Sequence, residues 1–114
     1  MTTRTAFAVA VLIGAFSATA FAQDAKKIAD GKKIYDSKQC AKCHAIAGKG
    51  EKIAVLDGVG SKLSEADIRK WLTAPADMEA KLDHKPKVKM SSKKIALSDA
   101  EVDALTAYML SLKK

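Results

Sequence analysis

The sequence predicts a small all-α domain, and three observations carry that expectation. Apolar residues recur at helical spacing in three stretches, Ile28 to Tyr35, Ile68 to Leu72 and Val102 to Leu112. The second and third open on Ser-x-x-acid sequences of the kind that cap a helix N-terminus. No stretch alternates apolar and polar residues as a half-buried strand does, and neither an internal repeat nor a second domain is visible.

The first residues read as an export segment rather than as part of that fold. Arg4 supplies a positive charge, Ala6 to Phe16 is an unbroken apolar run, and Ala18-Thr19-Ala20 and Ala20-Phe21-Ala22 both have the form of a signal-peptidase site. Cleavage is expected after Ala22, giving residues 1–22 as a cleaved signal peptide and 23–114 as the domain. The alternative is an uncleaved anchor, but the apolar run falls short of the roughly 20 residues a spanning helix needs. No cysteine precedes Cys40 to take a lipid, and no twin arginine is present. The expected product is a soluble periplasmic protein with no stable membrane insertion.

The remaining 92 residues suffice for one domain with a thin core, which a staple or cofactor would help to complete. All three phenylalanines, Phe7, Phe16 and Phe21, lie in the export segment, so Tyr35, Trp71 and Tyr108 are the only aromatic residues left. Losing Arg4 leaves 19 basic against 13 acidic side chains, a formal charge of +6. Lysine supplies nearly all the positive charge and suits steering towards an acidic surface. Nucleic acid is not the expected partner, because the compartment is wrong and no basic helix carries base-reading residues.

Asp24 to Gln39 reads as the first helix, with Ile28, Gly31, Ile34 and Tyr35 on one face. A glycine within a helix costs about 1 kcal/mol relative to alanine, so Gly31 calls for a reason such as close approach of another helix. Ala45 to Lys62 reads as loop, because Gly48, Gly50, Gly58 and Gly60 interrupt it. Its apolar residues Ile53, Ala54, Val55, Leu56 and Val59 could line one side of a flat apolar ligand, and its glycines form no phosphate-binding pattern. Ser64 to Asp67 reads as a capping box opening a short helix that buries Ile68, Trp71 and Leu72 and ends at Pro75. Residues 76–97 have no clear period and carry six lysines, whose default reading is a solvated face. Ser98 to Glu101 is the stronger capping box, opening a last helix to about Leu112 with Val102, Leu105, Tyr108, Met109 and Leu112 as its apolar stripe.

The chemistry is concentrated in Cys40-Ala41-Lys42-Cys43-His44. Two thiols bracketing two residues, followed at once by an imidazole, form the pattern that attaches a haem c covalently. Each thiol adds across a vinyl group to give a thioether, and the adjacent histidine falls under the iron. Three rival readings of the cysteine pair exist. A thioredoxin-like dithiol requires a βαβ setting that this chain lacks. A zinc site would have to use Cys40, Cys43, His44 and His84, with adjacent residues as awkward tetrahedral partners. A plain disulfide would close almost no loop and stabilise little.

The ligand opposite His44 decides what such a group does. A methionine thioether fills the sixth site and favours electron transfer, whereas an open site favours binding or activating small molecules. Met109 falls on a core stripe, Met78 lies just past Pro75, and Met90 stands in an irregular segment able to bend its sulfur inward. Met90 is the expected metal ligand with His44, and His84 is the competitor.

On these residues the chain resembles the small monohaem class I cytochromes c of bacteria, from Gly31 to Leu112. Gly31-Lys32-Lys33-Ile34-Tyr35 is similar to the family's first helix, whose glycine and aromatic meet the last helix at positions like Leu105 and Tyr108. The resemblance implies N- and C-terminal helices crossing around one haem c, held through two thioethers from Cys40 and Cys43. It also implies His44 and Met90 as axial ligands and Trp71 as a residue that covers the haem and bonds a propionate. Two departures stand out. No proline occurs in Ala54-Val55-Leu56, near which members offer a carbonyl to the proximal histidine, and Met90 is flanked by Lys89 and Ser91 where members often have proline. The implied function is a monomeric one-electron carrier without catalytic residues, docking on acidic redox partners through Lys42, Lys85, Lys87, Lys89 and Lys93. The alternative is a haem-based sensor or small haem enzyme with an open sixth site.

Overall fold

A computed structural model describes residues 16–114, with side chains from Asp24 onward. The expected export segment lies outside the described residues up to position 15; from Phe16 its backbone belongs to the first helix. That helix, α1, runs Phe16–Ser37, starting earlier than the expected Asp24 through an alanine-rich stretch of high helix propensity. It stops two residues short of the expected Gln39, which sits in the left-handed region at φ 59° and turns the chain into a 3-10 turn, Cys40–Lys42.

The stretch read as loop is instead partly a small sheet, which corrects the all-α expectation. Strands β1 (His44–Ile46), β2 (Lys49–Gly50) and β3 (Ala54–Val55) are ordered β2-β1-β3. β1 pairs antiparallel with β2, Ala45 opposite Gly50, and parallel with β3, His44 opposite Ala54. Ala47 and Gly48 form the two-residue hairpin turn with φ 51° and 78°, the doubly left-handed geometry that matches strand twist. Strands of two or three residues are too short to show alternation. Only Ala45 within them is buried.

Four further helices close the chain: α2 (Val59–Lys62), α3 (Glu65–Thr73), α4 (Pro75–Glu79) and α5 (Asp99–Ser111). Ser64 accepts the Asp67 N–H at 3.2 Å, but the α3 box is only half formed, since Asp67 is a methylene shorter than the glutamate that reaches back in a full box. Pro75 does more than end α3. It occupies the first turn of α4, where its missing N–H has no helical partner to lose, and α4 buries Met78. The α5 box is complete, with Ser98 Oγ accepting from Glu101 N–H and Glu101 accepting from Ser98 N–H. Arg69 joins α3 to α5 through Asp103 at 2.6 Å. The end of α5 is held by α2, where Gly60 N–H donates to the Leu112 carbonyl.

The core gathers where α1 crosses α5. Tyr35, Ile68, Leu105 and Met109 form its buried centre, and Tyr35 meets Tyr108 edge to face at 5.8 Å. Gly31 makes the crossing possible. A Cβ there would fall on the Ala104 carbonyl oxygen and come within 2.7 Å of Tyr108 Cβ. The partner is thus the backbone at Ala104 together with Tyr108, while Leu105 packs into the core beside Tyr35. Thr106, outside the expected stripe, is also fully buried, and its hydroxyl has no hydrogen-bond partner.

Gly31→Ala should destabilise the protein by about 2 kcal/mol despite its better helix propensity, because the overlap is with backbone that cannot rotate away. Thr106→Val should raise stability by about 1 kcal/mol by removing a buried hydroxyl without a partner. Denaturant unfolding reads both. Burial, with smaller effects from Cys40, Tyr108 and Asp36, pushes the Tyr35 phenol up from 10.0 to about 12. The folded state therefore favours the neutral phenol. This contribution to stability is whole below pH 10 and is lost as the pH rises towards 12. Unfolding midpoints at pH 9 and pH 11.5 should fall more for the native protein than for Tyr35→Phe.

Candidate functional site

The 3-10 turn after α1 brings both cysteines to one side of the chain. Cys43 N–H donates to the Cys40 carbonyl at 3.2 Å, and both thiols are free and half-buried. Burial pushes the Cys40 thiol up, so it is not the stabilised thiolate of a reactive dithiol pair. Among the described residues, no group of three or more His, Cys, Asp and Glu side chains is placed to hold a metal ion, which weakens the zinc reading.

His44 opens β1, and the parallel pairing with β3 sets Ala54 beside it. Leu56 N–H donates to Ala45 and Ala54 N–H to Cys43, each at 2.9 Å, so β3 is held in register on both sides of its carbonyl groups. His44 Nδ1 lies 3.0 Å from the Ala54 carbonyl oxygen. A carbonyl only accepts, so Nδ1 carries the proton and Nε2 keeps a free lone pair. Burial pulls the His44 pKa down, opposed by the bond to Ala54, and the neutral form is favoured. From the other side, Tyr35 Oη donates to the His44 carbonyl at 3.3 Å, and Gly50 leaves room for that oxygen where a Cβ would overlap it. Missing proline is therefore no obstacle to orienting this imidazole.

Cys40, Cys43, His44, Trp71 and Met90 all line a single cavity of about 1460 Å³. That exceeds the ~300–1,000 Å³ of common small-ligand pockets and suits a large group. Ile53, Ala54, Val55, Leu56 and Val59 line it as expected, and Ile53 and Val55, the exposed large hydrophobic residues of the described chain, are exposed on this wall. Ile68, Leu105 and Met109 form part of its floor, so the core and the cavity share side chains. Trp71 is half-buried on the wall rather than enclosed in the core.

Met90 begins a second 3-10 turn, Met90–Lys93, and is half-buried. His84 also reaches the cavity, but it is exposed and its Nδ1 is 2.7 Å from Asp83. Lys42, Lys85, Lys87 and Lys93 are exposed among the cavity's lining residues, while Lys89, also exposed, does not line it. Glu79 is the residue of the site that sequence reading passes over, because it acts through a partner twelve residues away and leaves no local pattern. Ala54 and Tyr35 are both singled out in the sequence, though not for the hydrogen bonds they make to His44. The Glu79 carboxyl titrates below its ordinary range because Ser91 N–H and Ser91 Oγ both donate to it.

The residues present fit a flat, largely apolar, covalently attached group: two free thiols, a neutral imidazole with an open nitrogen, and an apolar wall. A family model described as Cytochrome c matches residues 28–113, from within α1 to just past α5. No curated protein matches, and neither does any solved structure. With the family match spanning most of the chain, and a Cys-x-x-Cys-His sequence opening on this cavity, the chain belongs to the cytochrome c family, whose members are haem-based electron carriers.

Proposed function

We propose that the chain is a soluble periplasmic one-electron carrier, exported by cleavage after Ala22, that holds one haem c with His44 and Met90 as axial ligands. The observation that carries this reading is the convergence of Cys40, Cys43, His44 and Met90 on one apolar cavity. Bound haem c supplies the Fe(II)/Fe(III) couple for single-electron exchange. Cys40 and Cys43 would retain the group in both redox states through thioethers, and the Ala54 carbonyl keeps His44 at a fixed ring orientation. Met90 would supply a thioether ligand to the iron, and Trp71 would help to cover the group. Covered by the bound group, the apolar wall would exclude water from it and so limit the solvent reorganisation that accompanies a change of charge. Exposed Lys42, Lys85, Lys87 and Lys93 among the cavity's lining residues favour redox partners with acidic docking surfaces. Among the described residues no helix is long and apolar enough to cross a membrane.

Intact mass of the protein made with its maturation machinery should give a chain beginning at Gln23 plus one haem, and a haemochrome spectrum should report two thioethers. A haem-free product, with the two thiols or a disulfide, would overturn the reading. The ferric native protein should show the iron–thioether charge-transfer absorption, and Met90→Ala should abolish it and open the reduced protein to carbon monoxide. Carbon monoxide binding to the native protein at neutral pH would favour a sensor or small haem enzyme instead. Electron exchange with an acidic partner protein should slow as ionic strength rises; a rate indifferent to salt would leave the lysines as a solvated face.

A further inference from the structure

Met90 stands in a segment with little to hold it. Between α4 and α5 the only regular structure is the turn Met90–Lys93, and proline is absent on both sides of the methionine. Among the described residues, two side chains outside residues 83–97 hydrogen-bond into that segment. Lys38 reaches the Ala96 carbonyl at 3.0 Å, six residues past Met90. Glu79 reaches Ser91, the next residue: Ser91 N–H donates to Oε1 at 2.9 Å and Ser91 Oγ to Oε2 at 2.7 Å.

We infer that Glu79 is a positioning residue for Met90, acting through the two-point hold of its carboxylate on Ser91. This rests on the axial role proposed for Met90 above. Ser91 N–H belongs to the peptide group that begins at the Met90 carbonyl carbon, so holding that N–H fixes the plane attached directly to the Met90 Cα. Two bonds to the two oxygens of one carboxylate also resist rotation, as a single bond would not. The helix that carries the carboxylate is itself placed, because neighbouring Met78 is buried and α4 packs against α3. Glu79 thus does for the methionine loop what Ala54 does for the imidazole: it sets a direction from outside the group that uses it.

The test compares native holoprotein with Glu79→Ala, Glu79→Gln and Ser91→Ala, reading the iron–thioether absorption and the affinity of the ferric protein for imidazole. Glu79→Ala should weaken the absorption and bind imidazole about tenfold more tightly, since loosening Met90 raises the competent fraction. Ser91→Ala should move both in the same direction by less. Glu79→Gln should stay near native, because its amide oxygen can accept from Ser91 N–H while its amine donates to Ser91 Oγ. The inference fails if Glu79→Ala only lowers the melting temperature and leaves absorption and imidazole affinity unchanged below it. It fails equally if Glu79→Gln matches Glu79→Ala, which would indicate charge and not a geometric hold. A native protein without the absorption overturns the Met90 assignment itself, and this inference with it.

Discussion

The contact on which the rest of the molecule depends is the approach of α1 to α5 at Gly31. A missing side chain lets the two helices nearest the ends of the domain meet backbone against backbone at Ala104, with Tyr35 and Tyr108 meeting edge to face beside it. Once the ends are joined, everything between Ser37 and Asp99 is a closed excursion from that crossing. Such an excursion can enclose a space rather than fill it. Leu105 and Met109 therefore serve both as helix-packing residues and as cavity wall. The core is thin because part of what would complete it is meant to be a bound group.

The two sides of that cavity are built differently. The cysteine and histidine side rests on a 3-10 turn and paired strands, whose hydrogen bonds run from backbone to backbone. The methionine side rests on side chains reaching from elsewhere, Glu79 from α4 and Lys38 from α1. A region held by a few side-chain bonds opens more readily than one held by a ladder. Loss of order is thus expected to begin at residues 83–97 and to spare Cys40 to His44.

Much of this was legible in the residues. Ser98 and Glu101 marked the start of α5 within a residue, and Gly31 in a helical pattern pointed to a close crossing before any partner was visible. Cys40, Cys43 and His44 stood out by adjacency alone, and the structure gathers them on one cavity. What stayed hidden was short or distant. The sheet consists of strands below the length at which alternation registers, and its turn is Ala47-Gly48, lacking the asparagine or aspartate that usually flags such a hairpin. Half of a capping box was read as a whole one at Ser64, because Asp67 has the right charge and insufficient reach. The hold of Glu79 on Ser91 joins residues twelve apart across an irregular segment, and no periodicity records it.

The bond from His44 to Ala54 ends at a main-chain oxygen, and this sets what mutation can do to it. Every amino acid presents the same carbonyl, so drift at position 54 leaves the acceptor in place as long as the strand pairing survives. The imidazole's orientation is thereby written into the backbone, and a scan of side chains would overlook the residue that provides it. The hold on Ser91 also uses a main-chain group, the Ser91 N–H, but both of its bonds end on the one carboxylate of Glu79, which a single codon change erases. The orientation of His44 thus tolerates side-chain change at its partner's position, while the hold on Ser91 depends on the identity of one side chain.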